Sequence, residues 1–163
     1  MEEPSWLESI RGYIDLSMLD EAWDTIEALP LDQQSTSQAI EMKIIILLNR
    51  KSLEEALQLC FQLSAEYPER HAGFIQGAYC LHELKRTDEA QMHLQSGPAS
   101  LRKEPVYFYN LCCYDLCLGK EDSAMAWINR AFEMSPGYAE EALKDPDLEP
   151  IRVLIERKLR GMR

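Results

Sequence analysis

Three of the chain's five cysteines fall within six residues of the stretch YNLCCYDLCLG, residues 109–119. Thiolates bind metals and do redox chemistry, so Cys112, Cys113 and Cys117 are the first candidates for a reactive site. Cys113 and Cys117 are four apart, on one stripe of a helix, and the matching stripe of the preceding segment carries Tyr79, His82 and Glu83. A zinc site takes about four ligands, mostly N and S. Two thiols with His82 and Glu83 reach that number only if two helices converge, and no C-x-x-C pair is present. Buried free cysteine otherwise acts as a small hydrophobe. Packing is therefore the expected role of Cys60, Cys80 and Cys112, with Cys113 and Cys117 as structural or surface thiols. No metal and no cofactor are expected. His71 and His93 have no partner pattern and are expected on polar faces. Ser/His/Asp arrangements, phosphate-cradling glycine loops and HExxH strings are absent, so the chain is not expected to be an enzyme.

A length of 163 residues suits one domain with a sizeable core. The formal charge of -11 repels phosphate over most of the surface, which argues against nucleic acid as a partner. Residues 150–163 are the exception, with five Lys or Arg against one Glu, while residues 1–149 stand near -15 from 12 basic and 27 acidic side chains. The opening MEEPSWLESI has no basic region ahead of an apolar core, and the longest apolar run is Ile44 to Leu48. An odd cysteine count fits a reducing compartment. A cytoplasmic chain without membrane association is expected.

The elements that hold these residues repeat. Ala22, Ala56, Ala90 and Ala124 are spaced by 34 residues, inside LDEAWDTI, LEEALQLC, TDEAQMHL and EDSAMAWI. In the same register stand Trp6, Ile40, Phe74 and Phe108, and the acidic Asp20, Glu54, Asp88 and Asp122. Leu16, Leu84 and Leu118 form a further column that Arg50 breaks. Each copy reads as two helices, with an acidic residue near the start of the second, where it suits the helix dipole. The alanines, with Ala131, fit sites of close helix approach. Pro68 and Pro136 end the second helices of copies two and four. Gly97-Pro98 breaks the second helix of copy three, so SGPASLRKEP should be the least regular segment.

The period, the alanine column and the prolines resemble the tetratricopeptide repeat family. The likeness implies an all-α, right-handed superhelical solenoid of four helix–turn–helix repeats, at about 3–36, 37–70, 71–104 and 105–138, in one domain spanning 1–163. Lys43, Asp115 and Gly97 depart from the pattern, where Leu, Tyr and Ala are expected. YCLHELKR, YNLCCYDLCLG and ALKDPDLEPIR are similar to strings of a bacterial group of such proteins with no established role. Residues 139–163 should cap the array, with Ile151, Leu154, Ile155 and Leu159 on the covering face.

In such solenoids the first helices line a concave groove, a protein- or peptide-binding surface. The stripe beside the packing face holds Leu7, Arg11, Ile14 and Asp15 in copy one and Glu41, Ile45, Leu48 and Asn49 in copy two. Copy three supplies Ile75, Tyr79, His82 and Glu83, and copy four Tyr109, Cys113, Leu116 and Cys117. Gln76 and Asn110 stand at its edge, and Tyr79 and Tyr109 are expected side by side. So apolar a stripe suggests an adaptor or scaffold that holds an apolar or amphipathic segment. Coverage by the C-terminal helix or by a second copy in a homodimer, and a secretion-type chaperone role, are alternatives. A clamp for acidic chaperone tails is not implied, because Leu7, Arg11, Met42, Ala72 and Gln76 offer one basic side chain.

Overall fold

The structure, a computed structural model, describes residues 4–161. Residues 1–3 and 162–163, which hold the outer ends of the first repeat and the cap, lie outside them. Regular structure among the described residues is all helical. In chain order the helices are α1 (Ser5–Asp15), α2 (Leu19–Glu27), α3 (Leu31–Gln34), α4 (Ser37–Asn49), α5 (Leu53–Glu66) and α6 (His71–Glu83). They continue with α7 (Thr87–Gln95), α8 (Pro105–Cys117), α9 (Glu121–Met134), α10 (Tyr138–Ala142) and α11 (Arg152–Gly161). Two 3₁₀ turns, Ala99–Lys103 and Pro146–Ile151, precede α8 and α11. Neighbours pack in pairs, α1 with α2, α4 with α5, α6 with α7 and α8 with α9. The first members also touch in series, α1 on α4, α4 on α6 and α6 on α8.

One backbone device joins each pair. Ser17, Lys51, Lys85 and Gly119 are left-handed, with φ of 60°, 62°, 64° and 74°. Their N–H groups donate to the carbonyls of Ile14, Leu48, His82 and Leu116. The next N–H in each case reaches back to Tyr13, Leu47, Leu81 or Asp115 at 2.8–2.9 Å. This double closure satisfies carbonyls that a helix end leaves open and turns the chain back on itself. The four left-handed residues keep the 34-residue spacing read from the alanines. Those alanines and Ala131 are fully buried. Trp6 is half-buried against the core of the first pair.

The second helices are not equal. α5 and α9 have 14 residues each and end just ahead of Pro68 and Pro136, whereas α2 and α7 have 9. The break after α7 falls where Gly97-Pro98 predicts it, and its 3₁₀ turn buries Leu101. A Cβ on Gly97 would lie 2.7 Å from Leu101 Cδ2 and 3.1 Å from the Phe74 ring, so only glycine lets that turn close. The early end of α2, ahead of Pro30 and the short α3, is an irregularity that the sequence reading did not anticipate.

The positions that depart from the repeat pattern have partners. Lys43 Nζ pairs with Glu27 at 2.7 Å and lies over the Trp23 ring. The Arg50 guanidinium binds Asp20 at 2.5 Å and faces the same ring. Asp115, 2% exposed, accepts from Gln91 of α7 and from Ser123 and Trp127 of α9, at 2.6, 2.5 and 2.9 Å. A buried carboxylate with three donors is satisfied, and it ties two pairs together. His93 is not on a polar face: it stacks on Phe74, meets Phe61 edge-on and contacts Gly73 O at 3.1 Å. A Cβ on Gly77 would lie 2.6 Å from its ring, so glycine there makes room for the imidazole.

Beyond α9 the chain caps the largest core cluster with Ala139, Ala142, Leu148, Ile151 and Ile155, and Leu159 packs against it. Leu154, expected on the covering face, is 45% exposed. The buried set advances from Ile151 to Ile155, one turn of helix, which leaves Leu154 on the flank.

Gly119→Ala should lower stability by about 1 kcal/mol, because an open site adds no clash and only the left-handed φ resists the new Cβ. Lys85→Gly should raise stability by about 0.5 kcal/mol, the relief of φ strain exceeding the glycine's added chain entropy. Urea unfolding with changes of the opposite sign would contradict the four-turn description. Burial, partly opposed by the Gly73 carbonyl, holds the His93 imidazole below its ordinary value of 6.5. In the unfolded chain His93 takes up its proton first, so stability should fall as pH drops from about 6.5 toward the lowered value. His93→Gln should flatten that part of the pH–stability curve.

Candidate functional site

The candidate stripe resolves into four columns, each with one member per first helix. Asp15, Asn49, Glu83 and Cys117 are all exposed. Arg11 and Tyr79 are exposed and Ile45 is half-buried, while Cys113, the fourth of that column, is buried at 5%. Ile14, Leu48 and Leu116 are half-buried, and His82 among them is buried. The remaining column lies deepest: Leu7 and Tyr109 are buried, and Glu41 and Ile75 are half-buried.

Several expectations need correction here. Leu7 belongs to the core of the first pair, packed with Ile10, Ala22 and Ile26, because α1 rests on both α2 and α4. Glu41 is held by Arg70 in a two-pronged ion pair at 2.6 and 2.8 Å. Asn49 turns its amide back to Ile45 O at 2.9 Å. Tyr79 and Tyr109 are not counterparts, since they stand 30 residues apart and the repeat is 34. Ile75 is the counterpart of Tyr109, and Cys113 that of Tyr79. The two tyrosines differ accordingly, Tyr79 at 39% exposure and Tyr109 at 9%.

A strap formed by residues 143–151 buries the C-terminal half of the stripe. Its 3₁₀ turn packs on α8, with Leu148 fully buried. Tyr109 donates its hydroxyl proton to Asp145 Oδ2 at 2.7 Å, and Asp145 Oδ1 caps the turn by accepting from the Asp147 N–H. Burial raises the Tyr109 phenol pKa, and the carboxylate raises it further, so the hydroxyl keeps its proton. Arg152 binds Glu149 and reaches Asp145 O, closing the strap at its far end. A cavity of about 350 Å³ remains between strap, α6 and α8, lined by Tyr79, His82, Glu83, Tyr109, Asn110 and Cys113 among others. Gln76, the other amide of the edge, is half-buried on α6.

At the rim of this cavity a polar chain crosses from strap to helix. Asp147 Oδ2 lies 3.1 Å from His82 Nε2, and His82 Nδ1 lies 3.0 Å from Thr87 Oγ1. Thr87 Oγ1 is 3.5 Å from Cys117 Sγ. The Tyr114 ring lies against the imidazole, with centroids 5.0 Å apart. Thr87 and Asp147 were missed in the sequence. Asp147 is 65 residues from its imidazole, and no local spacing could signal it. The thiol stripe does not assemble as a ligand set: burial, then the Asp145 charge, raises the Cys113 thiol pKa, and Cys117 faces solvent beside Thr87. Cys112 is pushed up to about 12, chiefly by burial. Both buried thiols stay protonated and inert near neutrality.

No family model matches the chain, and no curated protein matches it either. No helix among the described residues is long and apolar enough to cross a membrane.

The strap's hold can be measured. Leu148→Ala should cost roughly 2–4 kcal/mol by emptying a filled site. Tyr109→Phe should cost about 1–2 kcal/mol, the worth of a hydrogen bond to a charged group in a partly buried setting. Thermal unfolding of Tyr109→Phe at the wild-type midpoint would show that Asp145 does not secure the strap.

Proposed function

We propose that this chain is a four-repeat tetratricopeptide solenoid with a C-terminal cap, acting as an adaptor that holds an apolar or amphipathic protein segment. The recurrence of one left-handed turn every 34 residues supports the repeat reading. Stacked pairs of this kind present their first helices on one curved face. The observation that carries the binding reading is the half of that face which the strap leaves uncovered. Tyr79 is exposed there, with Ile45, Leu48 and Ile14 half-exposed on the adjoining first helices. Aromatic and aliphatic side chains on a rigid helical face supply contact area at little entropic cost. Arg11, Asp15 and Glu83 at the border would orient a bound segment by charge.

Catalysis fits less well. The Asp147–His82–Thr87 chain has the order of an acid, a base and a hydroxyl, yet Thr87 is only 7% exposed. A nucleophile must meet its substrate, and this one faces His82 and Cys117. The polar chain serves position.

Capture from native lysate, with binding to the recovered partner then measured, tests the proposal. Ile45→Ala with Tyr79→Ala should weaken binding by roughly 2–4 kcal/mol while helical content is retained. A double variant that keeps its helicity and wild-type affinity would place the functional face elsewhere. A mass above that of one chain, lost in the same variant, would mark a second copy as the occupant.

A further inference from the structure

We propose that His82, Glu83 and Asp147 bind one first-row divalent transition-metal ion of the zinc class, bridging α6 to the strap. One ligand atom from each, an imidazole nitrogen and two carboxylate oxygens, lies within 4.8 Å of the other two. That spacing allows a single ion to touch all three with small side-chain adjustments, since such bonds run about 2.0–2.2 Å. The site combines a fixed member with two adjustable ones. His82 is 9% exposed, its ring held between Tyr114 and Thr87, and its Nε2 points toward the strap. Glu83 and Asp147 are exposed and reach the same point from helix and strap.

The surroundings suit a cation. Among the described residues neither carboxylate has a Lys or Arg partner; the nearby Arg86 and Arg152 are committed to Glu89 and Glu149. Two carboxylates meet at one imidazole in a chain of formal charge -11, and a divalent ion turns their mutual repulsion into shared attraction. The Thr87 hydroxyl completes the set. When metal takes Nε2, the Nδ1–H donates to Thr87 Oγ1, and metal-bound histidines regularly have such an acceptor. One nitrogen and two oxygens select a borderline ion: hard Mg²⁺ and Ca²⁺ prefer all-oxygen shells, and soft ions want thiolate. Cys113 stays a protonated thiol under the strap and supplies no ligand. The sequence-based expectation of no metal weighed His82 and Glu83 with the two thiols, whereas the strap supplies Asp147 instead. Bound metal would add a second fastening beside Tyr109–Asp145. This inference does not depend on the partner-binding proposal.

Zinc titration of chelator-stripped full-length protein, followed by calorimetry, tests it. The expected result is one zinc per chain, with affinity falling roughly 10-fold or more in each of Glu83→Gln, Asp147→Asn and His82→Gln. Glu83 is exposed, so its variant reports on ligation even if His82→Gln disturbs folding. Magnesium and calcium should bind far more weakly at the same site. Absence of saturable one-to-one binding, or affinity unchanged in both carboxylate variants, would overturn the site. Calcium binding as tight as zinc would overturn the choice of metal.

Discussion

Everything in this molecule depends on a left-handed residue at the same place in each helix pair. Each first helix ends, and each second helix begins, across one residue of positive φ at Ser17, Lys51, Lys85 or Gly119. Two backbone hydrogen bonds lock that turn, so the exit direction is the same in each pair and both helices lie side by side. Close approach then admits nothing larger than the four buried alanines. Three of the turns hold side chains that resist positive φ by roughly 1–2 kcal/mol each, and the closure and packing around them offset that strain.

Given a regular stack, the irregular places decide the chemistry. Copies one and three shorten their second helices, and the freed chain becomes α3 and a 3₁₀ turn. At the C-terminal end, residues 143–151 fold back over α8 rather than continuing outward, and Leu148, Asp145 and Asp147 give this strap an apolar anchor and two polar fastenings. The shared face of the first helices is thereby split. The half nearer the C-terminus is closed around Tyr109 and Cys113, while Arg11, Ile45 and Tyr79 remain accessible.

The helices, their spacing and the alanine contacts were legible because a repeat writes the same constraint four times. Pro68, Pro136 and Gly97-Pro98 were legible for a local reason, their limits on the backbone. Which face was free was not legible. Tyr109 and Tyr79 look alike in the sequence, and only a strap some 36 residues beyond Tyr109 distinguishes them. The polar departures were opaque in the same way: Asp115 is satisfied by Gln91, Ser123 and Trp127, and Arg50 by Asp20, partners set by how pairs stack. His93 seemed a surface residue until Gly77 opened a space for it. Periodicity reports which face is apolar, but not what later covers it.

Thiol reactivity, read site by site, tests the division of that face most directly. Native protein treated with a small alkylating reagent and mapped by mass spectrometry should react quickly at Cys117, which is exposed. Cys113, one turn away on the same stripe, should react far more slowly, because the strap covers it and its thiol keeps its proton. Equal labelling of Cys113 and Cys117 in folded protein would mean that the strap does not close over α8, and the account of a half-covered face would fail.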